Sequence, residues 1–177
     1  MLLAARVVAD TSALVSLALA GLLEKSAETA EILIPPEVLA ELRQVASFKD
    51  EEGAAAKAVL QLVSADKILV RRVKGRERLR RSIYRTDLGE AACLQLCVEN
   101  GVSLLVCDDI DASYRLEAPA LAKGIRLRIS AAFVAELART GKLSKKQAMA
   151  AIRRMNKLRH WEGGALETLA EKYLNAV

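Results

Sequence analysis

Aromatic residues make up only 3% of this 177-residue chain, which also has a single histidine and three cysteines. Each scarcity excludes something. With so few rings, the core available to a chain that is 53% hydrophobic must be aliphatic, built from Ala, Leu, Val and Ile. The lone histidine, His160, excludes two-histidine ribonuclease chemistry and any multi-histidine metal centre. Cys93, Cys97 and Cys107 are an odd and sparse set, unlike the framework of a secreted disulfide scaffold. Cys93 and Cys97 stand four apart on one face of an expected helix, among Leu94, Leu96 and Val98. Core packing therefore explains them better than a Cys3His zinc site completed by His160. No apolar run reaches the roughly 18 residues of a membrane span. Arg6 and Asp10 interrupt the apolar N-terminus, so no signal peptide is expected, and the chain reads as cytoplasmic with no membrane contact.

The length fits one domain with a modest appendage. Short apolar runs at 5–9, 31–34, 67–73, 102–107 and 125–129 predict strands. Helices are expected over 12–24, 36–46 and 50–63, from the Thr86–Glu90 stretch to about Asn100, and after Asp109 with a break at Pro119. The remainder, 131–177, reads as two or three helices bounded by Gly141 and Gly163-Gly164. Alternating strands and helices predict an α/β fold of three α/β/α layers around a central parallel sheet, followed by a C-terminal helical extension. The expected division is 1–132 for the α/β body, with a basic insertion at about 66–86, and 133–177 for the extension packed on it.

Acidic residues gather where such a fold places its ligands, outside the carboxyl ends of the strands. Asp10 ends the first strand, and Asp108 and Asp109 end the strand at 102–107, with Asp111 close behind. Glu41 and Glu90 lie near the starts of two helices. Singly, each has a local explanation as a helix cap, a dipole partner or a turn residue. Together they would crowd like charges at one sheet edge, which calls for a cation. Oxygen donors without imidazole or thiolate suit Mg²⁺ or Mn²⁺, and such a site suits phosphoryl chemistry.

The net charge of +5 conceals a strong asymmetry. Between Asp66 and Asp87 stand nine Lys and Arg against three acids, among them Arg71, Arg72, Lys74, Arg76, Arg78, Arg80, Arg81 and Arg85. From Arg139 to Arg159 there are eight more and no acid. The rest of the chain is net acidic. One such run is ordinarily a solvated face, but two beside a carboxylate cluster fit a polyanion such as RNA. Few aromatics accompany them, so base stacking contributes little.

The segments Val-Val-Ala-Asp10-Thr-Ser-Ala-Leu, Ile-Pro-Pro-Glu-Val-Leu-Ala-Glu41-Leu, Gly89-Glu90-Ala-Ala and Leu-Leu-Val-Cys-Asp108-Asp109 resemble the PIN-domain nucleases in order and spacing, across about residues 5–130. The best-known members are VapC-type toxins of toxin–antitoxin pairs. The Gly-Glu-Ala and Asp-Asp pattern is similar to a less characterised prokaryotic branch. The resemblance implies a Mg²⁺- or Mn²⁺-dependent endoribonuclease with catalytic acids Asp10, Glu41, Glu90 and Asp108. Asp10, Glu90, Asp108 and Asp109 would be the metal ligands. Asp108 follows from alignment without gaps, and a one-residue shift selects Asp109 instead. Thr11, Ser12 and Asp111 would support the site. The resemblance also implies a small antitoxin as partner and a homodimer. The chain departs from the family pattern in its long basic segment between Glu41 and Glu90, in Glu90 where many toxins have Asp, and in Val106 where many members have Thr. The alternative is a non-catalytic PIN-like module that binds nucleic acid or protein and has no need of the acids. A receiver-type signalling domain fits poorly, because its acid pair follows the first strand.

Overall fold

The apolar runs form strands because they are covered on both faces, and the amphipathic stretches between them form the helices that cover them. The computed structural model describes residues 5–74 and 88–175. Its strands are β1 (Ala5–Ala9), β2 (Ala30–Ile34), β3 (Ile68–Val70), β4 (Leu104–Val106) and β5 (Arg126–Arg128). They pair in parallel in the order β3-β2-β1-β4-β5. The register sets Val7 opposite Ile32, Val8 opposite Leu105, Ile32 opposite Ile68 and Leu105 opposite Leu127. Val8, at the centre, is fully buried.

Among the described residues the helices are α1 (Thr11–Leu19), α2 (Leu23–Thr29), α3 (Pro36–Val45), α4 (Glu51–Ser64), α5 (Leu88–Asn100), α6 (Ile110–Leu121), α7 (Ser130–Arg139), α8 (Lys145–Leu158) and α9 (Ala165–Asn175). Right-handed crossovers put α1 to α4 on one face of the sheet and α5 and α6 on the other, giving three α/β/α layers. The C-terminal helices join the first layer: α7 and α8 pack on α1, and α9 packs on both of them. Phe133, Ile152, Met155 and Trp161 thereby enter the same apolar core as Val8 and Leu105. No described helix is long and apolar enough to cross a membrane.

Three local readings change. The helix expected over 12–24 is two helices, because Gly21 adopts φ +72 just past the end of α1. The Gly21 N–H then donates to the Ala18 carbonyl and the Leu22 N–H to the Leu17 carbonyl, which closes α1 with a Schellman turn. Pro119 does not break its helix, since it lies in the last turn of α6, where only the hydrogen bond to the Arg115 carbonyl is forfeited. The strand at 67–73 shortens to Ile68–Val70, with Arg71 still donating its N–H to the Ile34 carbonyl. The Thr86-Asp87 stretch, expected to open a helix, lies outside the described residues.

Helix α4 starts at an Asp50 cap whose carboxylate accepts the Gly53 N–H at 2.7 Å. Gly53 packs so closely on the Phe48 carbonyl that a Cβ there would overlap backbone. Replacing Gly53 by Ala should therefore cost on the order of 1–3 kcal/mol despite alanine's better helix propensity. Urea unfolding of the two proteins measures it, and an unchanged midpoint would refute the packing argument.

Candidate active site

The strand order reverses between β1 and β4: the chain moves from β1 out through β2 and β3, then crosses back to β4 and β5. The connections leave β1 and β4 in opposite directions along the sheet, so a crevice opens at their carboxyl ends. Asp10 leaves the end of β1 and donates its N–H to the Val106 carbonyl of β4 at 3.1 Å. A cavity of about 250 Å³ lies there. It is lined by the acids Asp10, Glu41, Glu52, Glu90 and Asp109, by Thr11 and Ser12, by Cys93 and Cys107, and by Arg159.

Each acid is delivered by a different element. Asp10 caps α1, and its carboxylate accepts the Ala13 N–H at 2.8 Å. The Ser12 hydroxyl donates to the same carboxylate at 2.8 Å and itself accepts the Asp108 N–H at 2.9 Å, so one serine ties the ends of β1 and β4 together. Pro35-Pro36 stops β2 and starts α3, whose Val38, Glu41 and Val45 share one helical face on the cavity. Glu41 accepts the Thr11 hydroxyl. Gly89, Glu90 and Cys93 come from the first turns of α5, and Glu90 is held by Arg115 of α6 through both of its carboxylate oxygens. Asp109 caps α6 by accepting the Ala112 N–H at 2.9 Å, and stays exposed.

The two neighbouring aspartates after β4 part company. Asp108, expected as the fourth acid, is 5% exposed and does not line the cavity. Its carboxylate accepts both the N–H and the hydroxyl of Ser130 at 2.7 Å, at the start of α7. Asp109 is the one that faces the cavity. Asp111 is exposed in the first turn of α6 and lies outside the lining. Cys93 and Cys97 are buried in the core, while His160 is exposed. Arg71, Arg72 and Lys74 are exposed just beyond the carboxyl end of β3, at the same sheet edge as Asp10. Arg76, Arg78, Arg80, Arg81 and Arg85 lie outside the described residues.

Burial pushes the Asp10 carboxyl up to about 7, against hydrogen bonds from Cys107, Ala13 and Ser12 that favour its charged form, and the nearby Asp108 charge adds to the rise. Burial also raises Asp108, opposed by its serine partners. Arg115, beside Glu90, is held more firmly protonated by that carboxylate. The oxygen-only acids fit Mg²⁺ or Mn²⁺ in chemistry. Among the described residues, however, no three His, Cys, Asp or Glu side chains are gathered tightly enough to hold a metal ion. The reason is visible in the bonding: the carboxylates of Asp10, Glu41, Glu90 and Asp109 each hold a partner of their own.

Sequence reasoning did not find Arg115, Glu52 or the cavity position of Arg159. Arg159 stood out only as the last residue of a basic run, and its partner Glu52 is 107 residues away. Compared with known proteins, the chain matches a family model, DUF3368, described as a PIN domain, over residues 6–169. No curated protein and no solved structure matches it.

Asp108→Asn should cost about 1–3 kcal/mol of stability through its Ser130 contacts, whereas Asp109→Asn at the exposed cap should cost about 1 kcal/mol or less; chemical unfolding of each compares them. For Asp10, the unfolded chain releases its proton near pH 4 and the folded chain only near 7. Stability should therefore fall as pH rises across that window, when no divalent cation is present. Asp10→Asn should flatten that fall in urea titrations, and an equal slope in both proteins would contradict it.

Proposed function

This chain belongs to the PIN-domain family, and from that premise we propose that it is a Mg²⁺- or Mn²⁺-dependent endoribonuclease working at the β1–β4 crevice. PIN domains are generally nucleases, usually with divalent metals. The observation that carries the reading is that Asp10, Glu41, Glu90 and Asp109, from four separate segments, line one cavity at the switch point of the sheet. Asp10, Glu90 and Asp109 would hold the metal, with Glu41 orienting a water from across the cavity. Asp108 holds the start of α7 and fixes the β4 turn that aims Asp109.

Bound there, the metal would supply an acidified water and neutralise charge on a phosphodiester. The chain's own residues do the rest. Ser12 orients the Asp10 carboxylate and Thr11 orients Glu41. Arg115 holds both oxygens of the Glu90 carboxylate and keeps it aimed until a cation competes for it. Arg71, Arg72 and Lys74, with the basic face of α8, would hold the RNA backbone. A small protein partner covering the acidic cavity and a homodimer belong to the same reading, through the resemblance to toxins.

The carboxylates' private hydrogen bonds favour a second reading, a PIN fold that binds nucleic acid without cutting it. Cleavage of labelled RNA with Mn²⁺ separates the two. Wild type should cleave, Asp10→Asn and Asp109→Asn should lose on the order of 100-fold in rate, and Mn²⁺ should raise the wild-type melting temperature but not that of Asp10→Asn. Equal cleavage by wild type and Asp10→Asn would overturn the assignment.

A further inference from the structure

A cavity walled by five acids repels the phosphodiester that it is proposed to cut, even after a cation has offset part of the charge. Among the described residues lining it there is one cation, Arg159. It stands at the end of α8, brought over the crevice because α8 packs on α1. One nitrogen donates to Glu52 in the first turn of α4. Its Nε–H is buried and has no acceptor among the described residues. A guanidinium offers five N–H donors in a planar fork, and this one spends a single nitrogen on protein. It lines the cavity together with Leu105 and Cys107, at the β4 end of the site.

We propose that Arg159 is the substrate-binding group of this cavity, a guanidinium supplied by the C-terminal helices to take a backbone phosphate of the RNA, with Glu52 holding it in place until the phosphate arrives. The inference rests on the nuclease reading and adds to it: the tail is part of the active site. Lys146, Arg153, Arg154 and Lys157 are exposed along α8 and do not line this cavity, so Arg159 alone carries the α8 charge into it. Moving the guanidinium from Glu52 to a phosphate exchanges one acceptor for an oxyanion that can take two parallel bonds.

The test measures binding apart from cutting. A fluorescein-labelled oligo(U) is titrated with the protein in Ca²⁺ in place of Mn²⁺, a cation that the same oxygen donors take, and followed by anisotropy, as wild type and as Arg159→Gln, Arg159→Lys or Glu52→Gln. Arg159→Gln should weaken binding about tenfold and lower the salt slope by about 0.7, the value of one single-strand phosphate contact. Arg159→Lys should recover part of the affinity. Glu52→Gln, which frees the guanidinium, should bind as tightly as the parent or more tightly, even if its melting temperature falls. The proposal is overturned if Arg159→Gln binds like its parent, or if Glu52→Gln weakens binding as much as Arg159→Gln does, since the ion pair then matters only for folding. Should wild type cleave RNA while Arg159→Gln binds normally, the nuclease reading stands and this inference alone fails; should wild type neither cleave nor bind RNA, both fall.

Discussion

Everything at the site depends on the parallel pairing of β1 with β4. A parallel sheet delivers every strand's carboxyl end to one edge, and the reversal of strand order opens a crevice there between β1 and β4. Val8 and Ala9 pair with Leu105 and Val106, so the residues that follow, Asp10 on one strand and Asp108-Asp109 on the other, must emerge side by side. Ser12 then joins the two ends, with the Asp108 N–H donating to its hydroxyl and that hydroxyl donating to the Asp10 carboxylate. Loss of this pairing would scatter the acids to separate loops, whatever became of the rest of the core.

Placing carboxylates together has an electrostatic cost that the fold meets piecemeal. Asp10 titrates near neutrality because it is buried. Glu90 is paired with Arg115, Glu41 accepts a hydroxyl, and Asp109 accepts the Ala112 N–H at the start of α6. These partners make the arrangement stable by itself, and each is also a competitor that a divalent cation must displace. Site stability and cation affinity are therefore opposed, and the balance lies with partners such as Arg115 and the Ala112 N–H as much as with the acids themselves.

Much of the fold could be read along the chain because its signals are local. The apolar runs, the Pro35-Pro36 helix start and the Asp10-Thr11-Ser12 cap each follow from a few consecutive residues. Gly21 gives no clear sign of a helix end in the sequence, because both sides of it are apolar and continue the pattern. Asp108 and Asp109 could not be ranked from sequence. Consecutive residues of extended backbone point to opposite sides, so one must face the core and the other the crevice, and a one-residue uncertainty in where β4 ends exchanges them. Arg115 and Arg159 were invisible as site residues because their partners, Glu90 and Glu52, lie 25 and 107 positions away.

By itself the sequence determined that the chain folds as a parallel α/β unit, that its acids lie after strands and at helix starts, and that any chemistry must run on oxygen donors, because hydrophobic period and residue type act over short range. Only the tertiary structure decided which of two adjacent aspartates enters the cavity, which arginine restrains Glu90, and that the last basic residue of α8 comes to rest among the acids. Those outcomes depend on the direction of each side chain and on contacts between distant segments. Such contacts form only when the helices pack on the sheet, and the order of residues along the chain carries no direct record of them.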